Sequence, residues 1–114
     1  MLDNIISDYL LTVGIDLSNY GIKAMIWNEK QVIEVLCEIY KQGIVVLGGD
    51  VYKFYDGRYI VTGDSWYYNG IDASESYEKA IDYIKKYAKC QNDNILFGVV
   101  IKNRVNKILP CNRK

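Results

Sequence analysis

The chain of 114 residues has no histidine, one proline, three cysteines and no net charge, with 14 lysines and arginines against 14 aspartates and glutamates. Each shortage excludes something. Without histidine the usual general base, serine-triad partner and metal ligand is missing, leaving carboxylates, tyrosines, lysines and thiols for proton transfer. Most hydrolase and metalloenzyme classes are thereby removed. Cys37, Cys90 and Cys111 are odd in number and widely spaced, which suggests neither a disulfide framework nor a zinc site. Cys37, inside an apolar run, reads as a small buried hydrophobe. Balanced charge argues against a general nucleic-acid or membrane-surface binder, because both need a sustained basic excess. No run approaches the roughly 20 apolar residues of a membrane span. The opening Met1-Leu2-Asp3-Asn4-Ile5-Ile6 lacks the basic and apolar regions of a secretory signal, so the expected compartment is the cytoplasm. Repeats and low-complexity segments are lacking too.

What the chain does contain fits one domain, 1–114, with a basic and flexible tail expected over 103–114. The zero net charge conceals a split. Residues 1–78 hold twelve acidic and five basic side chains, and residues 79–114 hold two acidic and nine basic. A fold that keeps these parts on different faces is a charge dipole.

Leu2, Ile5, Ile6, Tyr9, Leu10 and Val13 recur at helical spacing up to Gly14, which predicts a short amphipathic helix. Residues 14–27 show no period and are left unassigned. Asn28 with Gln31 has the spacing of a capping box, and it opens a helix with Val32, Val35, Leu36, Ile39 and Tyr40 on one face and a stop at Gly43. The period then changes to two. Residues 44–55 and 58–68 read as strands, and Asp56-Gly57 between them supplies the positive φ angles of a tight hairpin turn. A two-residue turn pairs Phe54 with Tyr59, Tyr52 with Val61, Val51 with Thr62 and Leu47 with Trp66, unless Gly48, Gly49 or Gly63 marks a bulge. One face then shows Val46, Asp50, Tyr52, Phe54, Tyr59, Val61 and Tyr67; the other shows Leu47, Val51, Lys53, Arg58, Ile60, Thr62, Asp64 and Trp66. Asp72 with Glu75 repeats the capping spacing and starts a third helix whose buried stripe is Tyr77, Ala80, Ile81, Ile84 and Ala88. The apolar run from Ile95 to Ile101 reads as a central strand. The expected fold is α+β: a small, mainly antiparallel sheet, made of hairpin 44–68 and strand 95–102, against about three helices.

Asp50, Asp56, Asp64 and Asp72 are the acidic residues to weigh for catalysis or a divalent cation. Their spacing spans two strands and two turns rather than one ligand loop, and turn and cap roles already explain Asp56 and Asp72. Gly48-Gly49-Asp50 is no phosphate loop, since no lysine follows and no helix begins there. Its Val51-Tyr52 continuation also departs from nucleotide-cyclase signatures. The aromatics say more. Nine of the eleven tyrosines fall between Tyr40 and Tyr87, and Trp66-Tyr67-Tyr68 is contiguous on a strand, so consecutive rings point to opposite faces. Exposed tyrosine and tryptophan are typical interface anchors, and neighbouring aspartates favour a basic partner while repelling nucleic-acid phosphate.

The stretch Ile44-Val45-Val46-Leu47-Gly48-Gly49-Asp50-Val51-Tyr52, followed by Asp64-Ser65-Trp66-Tyr67, resembles the immunity protein 40 family, small bacterial proteins that neutralise the toxins of polymorphic toxin systems. The resemblance runs from about residue 12 to residue 102, with Gly48, Gly49, Asp50, Tyr52 and Trp66 at matching positions. It implies a non-enzymatic inhibitor whose partner is a cognate toxin domain, and it supplies no mapped binding site. Together with the acidic aromatic hairpin, it makes Asp50, Tyr52, Asp64, Trp66, Tyr67, Tyr68, Asp72 and Glu75 the expected partner-binding residues. Gly48, Gly49 and Gly57 have structural roles, and neither metal nor cofactor is called for. A toxin with a basic active-site cleft would complement such a surface. The alternatives are a small carboxylate or divalent-cation enzyme using Asp50 and Asp64, and an interaction module whose partner is not a toxin.

Overall fold

Local sequence decides where the helices begin. In the computed structural model, which describes residues 5–22, 24–90 and 94–102, the Ser7 side chain accepts from the Leu10 N–H and opens α1 (Asp8–Val13). Gly14 ends it. Leu10 is buried, whereas Tyr9, expected on the same stripe, faces solvent. Asn28 opens α2 (Glu29–Lys41) with both halves of the predicted capping box formed, Gln31 N–H to Asn28 Oδ1 at 2.8 Å and Asn28 N–H to Gln31 Oε1 at 3.4 Å. Val32, Val35, Leu36 and Ile39 are fully buried, each stabilising the fold by about 1.5–3 kcal/mol of transfer free energy.

The unassigned stretch 14–27 holds β1 (Ile15–Asp16), a 3-10 turn (Leu17–Tyr20) and β2 (Met25–Ile26). β1 and β2 form a two-stranded antiparallel sheet. Asp16 caps the turn by accepting from the Ser18 N–H, which holds its carboxyl below the usual aspartate range. Elements this short have no readable period.

The main sheet is antiparallel with strand order β4-β3-β5, from β3 (Val46–Tyr55), β4 (Arg58–Tyr67) and β5 (Ile95–Ile101). Ile44 and Val45, expected in the first strand, precede β3 and are buried. The hairpin turns on Asp56 and Gly57, with φ of 54° and 75°, as its type requires. From Tyr55↔Arg58 to Tyr52↔Val61 the register is the predicted one. Beyond it a bulge opens: Asp50 pairs with Ser65, Gly49 with Trp66 and Gly48 with Tyr67, so the expected Val51–Thr62 and Leu47–Trp66 pairs do not form. Gly63 supplies the bulge with φ of 92°. The Thr62 hydroxyl donates to the Val51 carbonyl at 2.9 Å and accepts from the Asp64 N–H at 3.1 Å, fixing the extra residues. A second irregularity, between Val46 and Gly48 on the β5 side, returns Val46 to the core rather than to the opposite face.

β3 is the central strand, correcting the expectation for residues 95–101. β5 flanks it, and its far edge carries Trp27 in reciprocal backbone bonds with Phe97 of 2.9 and 2.7 Å. The Trp27 indole N–H donates to the Leu10 carbonyl at 2.8 Å, fastening α1 to the sheet.

α3 (Ala73–Cys90) packs with α2 on one sheet face, over Val51, Trp66, Phe97 and Ile101. Ala80 and Ile84 of its predicted stripe are fully buried. So is Ser76, whose hydroxyl accepts from the Val46 N–H (3.0 Å) and donates to the Ala73 carbonyl (2.9 Å). Residues 103–114, where the basic tail was expected, and Cys111 lie outside the described residues. Cys37 is half-buried rather than fully buried, and Cys90 is exposed.

Candidate partner-binding surface

The two sheet faces are covered unequally. On the face away from α2 and α3, Leu17 and Ile26 sit over Tyr52 and Leu96 and close a small second core. That cover reaches β4 at Tyr59, which packs into the same core and meets the Tyr20 ring at 6.0 Å between centres, and it leaves Val61, Ser65 and Tyr67 exposed. The cross-strand rows Ser65–Asp50–Gly98 and Tyr67–Gly48–Val100 follow the register, and Tyr67, Asp50, Ser65, Val61 and Val100 are exposed. Tyr67 is 68% exposed. An aromatic and aliphatic patch with one carboxylate thus remains on the outer side of β3 and β4.

The eight expected partner-binding residues divide into three sets. Asp50 and Tyr67 share the outer face. Tyr52 is on that face too, but it is only 5% exposed beneath the β1–β2 cover, and burial first, then Asp50, raises its hydroxyl above the ordinary phenol value. Asp64 and Trp66 point the other way. Trp66 is 6% exposed, lies against Tyr83 at 5.2 Å between ring centres, and its indole N–H has no partner among the described residues. Asp64 accepts from the Tyr87 hydroxyl of α3 at 2.7 Å, and this hydrogen bond is the first cause of a raised Tyr87 value. Asp50 and Asp64 therefore lie on opposite sides of the sheet, which removes the geometry that a carboxylate pair would need. Among the described residues no three aspartate, glutamate or cysteine side chains are grouped to hold a metal ion.

Tyr68, Asp72 and Glu75 form the third set, at the start of α3. Here the capping box is threaded through a phenol. Glu75 N–H donates to Asp72 Oδ1 at 3.1 Å, as the spacing predicts. The return bond is indirect: Asp72 N–H donates to the Tyr68 hydroxyl at 3.1 Å, and that hydroxyl donates to Glu75 Oε1 at 2.7 Å. The bond to Glu75 is the main reason the Tyr68 hydroxyl titrates above its usual value. Tyr68 is buried, while Asp72 and Glu75 remain exposed.

At Gly48 and Gly49 the packing leaves no room for a side chain. A side chain on Gly49 would place Cβ 2.2 Å from the Gly98 carbonyl oxygen and from the Trp66 ring, and one on Gly48 would place it 2.3 Å from the Trp66 carbonyl oxygen. Bare backbone at both positions lets β4 close on β3 and seats the indole. The Gly-Gly-Asp and Trp motif is thus mainly a packing device, with Asp50 its exposed member.

Sequence reasoning missed Ile71, which is 84% exposed. It also missed Tyr83 and Tyr87, although both extend the Ser76–Ala80 stripe at helical spacing. Along α3, Glu75 and Glu78 are exposed in the first turns, and Lys79, Asp82, Lys85, Lys86 and Lys89 follow. No described helix is long and apolar enough to cross a membrane.

No curated protein matches the chain. The family model of Immunity protein 40 matches residues 16–101, from the end of β1 to the end of β5, and so takes in both sheets, α2 and α3. On that match, which spans most of its length, the chain belongs to the Immunity protein 40 family.

Proposed function

We propose that this protein protects its cell by binding a cognate toxin of a polymorphic toxin system and blocking it, in the cytoplasm, without catalysis of its own. Membership of the Immunity protein 40 family carries the reading. The surface proposed for the toxin is the uncovered outer side of β3 and β4, with Asp50 and Tyr67, continued by Asp72 and Glu75 at the start of α3. Aromatic anchors suit a protein interface, and a toxin with a basic cleft would be steered to the carboxylates. Tyr52, Trp66 and Tyr68 support this surface from within, and Asp64 does so through Tyr87.

Co-expression with the product of the adjacent upstream gene is the test. Cells should survive the toxin only when the protein is present, and the two should co-purify. The association rate should fall as salt is raised, as screening of complementary charge requires. Continued killing with no co-purification overturns the reading.

A further inference from the structure

The segment between β4 and α3 is short and closed onto one side chain. Tyr68 N–H donates to the Leu47 carbonyl at 2.8 Å, fixing the segment's start to β3. The Tyr68 hydroxyl accepts from the Asp72 N–H and donates to Glu75 Oε1. Between those anchors Gly70 lies so close to the phenol that an added Cβ would be 2.3 Å from the hydroxyl oxygen. Asp72 then caps α3 through the Glu75 N–H and, by its carbonyl, the Ser76 N–H. Few conformations satisfy all of these bonds at once.

Two large apolar side chains are exposed along this stretch, Tyr67 as the last residue of β4 and Ile71 within the loop. Tyr67 and Ile71, at 68% and 84% exposure, are the two most exposed large hydrophobic side chains among the described residues. Ile71 precedes the cap of α3, where an apolar residue often packs against the first turn. The residue it would meet four positions into the helix is Ser76, already committed to Val46 and Ala73. Among the described residues, Ile71 belongs to neither hydrophobic cluster. The carboxylates beside it, Asp72 and Glu75, are exposed.

We infer that residues 67–72 form the anchor of the toxin interface, with Tyr67 and Ile71 filling an apolar recess on the toxin whose rim carries lysine or arginine opposite Asp72 and Glu75. The inference rests on the immunity reading and adds to it the place and the chemistry of contact. Charge complementarity selects the basic rim. Rigidity matters because a loop ordered before binding loses little further entropy in the complex, and anchors in ordered surroundings dominate interface energies.

The experiment is a titration of the product of the adjacent upstream gene with wild type, Tyr67→Ala, Ile71→Ala, Ile71→Asp, Tyr68→Phe and Lys89→Ala, each checked by thermal melting. Tyr67→Ala and Ile71→Asp should each raise Kd by about thirtyfold or more, the range of interface hot spots, with melting unchanged for these exposed positions. Ile71→Ala should fall between Ile71→Asp and wild type. Tyr68→Phe keeps the ring and removes both hydroxyl bonds; it should weaken binding by about two- to tenfold through loss of preordering. Lys89→Ala, at the far end of α3, should bind as wild type. Unchanged affinity in Tyr67→Ala and Ile71→Asp, with wild type still bound, overturns the anchor and leaves the immunity reading standing. Failure of wild type to bind overturns both. Full affinity in Tyr68→Phe, with the anchors still mattering, overturns the part assigned to preordering.

Discussion

The two faces of the β4-β3-β5 sheet are built from the same residue types and are covered differently. Trp66 and Phe97 on the helix side are buried and packed among the rings of Tyr83 and Tyr87. Tyr67, Val61 and Val100 on the other side meet solvent. Hydrophobicity alone does not separate Trp66 from Tyr67, which are adjacent in sequence; strand alternation and the partial reach of the β1–β2 cover do. Aromatic content in a small sheet protein therefore says little about binding until the layers on each face are known. Five variants break or sharpen this contrast.

Trp66→Ala should have the largest effect. It removes the widest ring on the helix face and leaves a cavity between Gly49 and Tyr83, a loss of about 3–5 kcal/mol in unfolding free energy measured by urea denaturation. Trp66→Phe should lose well under half as much, because it also removes a buried N–H that has no partner among the described residues. Gly49→Ala follows. Its Cβ meets a carbonyl oxygen as well as the indole, so a side-chain rotation cannot relieve the clash, and a loss of at least about 1–3 kcal/mol is expected in the same assay. A small loss would mean that β3 and β5 can part there, and that the helix face is less tightly built than Trp66 suggests.

Much of this architecture is legible in the sequence because it is local. The box of Asn28 and Gln31, the Asp56-Gly57 turn and the stripes of α2 and α3 depend on residues within a few positions of each other. The register past Tyr52 is not local. Gly63 signals a bulge, but how many residues it adds depends on Thr62 reaching the Val51 carbonyl across the hairpin. Residues 14–27 were illegible because strands of two residues contain no period, and Trp27 is fixed by contacts with Leu10 and Phe97, far away in sequence. The candidate surface was half legible. Acidic and aromatic composition singled out Asp50 and Tyr67, yet it could not separate them from Trp66, whose burial needs α3. Ile71, a lone apolar residue between Gly70 and Asp72, belongs to no pattern.

Thr62→Val tests the bulge that aims Asp64 at α3. The substitution keeps the shape and β-propensity of the side chain and deletes two hydrogen bonds, from Thr62 to Val51 and from Asp64 to Thr62. A destabilisation of about 1–2 kcal/mol is expected, since the Asp64 N–H can turn to water while the Val51 carbonyl loses its partner. Amide exchange should quicken at residues 62–64 and stay slow in the paired stretch from Tyr52 to Tyr55. Uniform quickening along β4 would show that the bulge governs the register of the whole strand.

The smallest effect belongs to the outer face. Val61 and Tyr67 are each more than half exposed, so the double substitution Val61→Thr with Tyr67→Ser should change unfolding free energy by no more than about 0.5 kcal/mol per site. Threonine keeps the branched Cβ that suits a strand, and serine at the last residue of β4 leaves the Tyr68 N–H free to hold Leu47. The same pair of changes should lower toxin affinity more than it lowers stability. A loss of stability comparable to that of Gly49→Ala would mean that these side chains pack against something in the free protein. The outer face would then be part of the fold rather than available to a partner, and the contrast between the two faces would fail where the proposed function needs it.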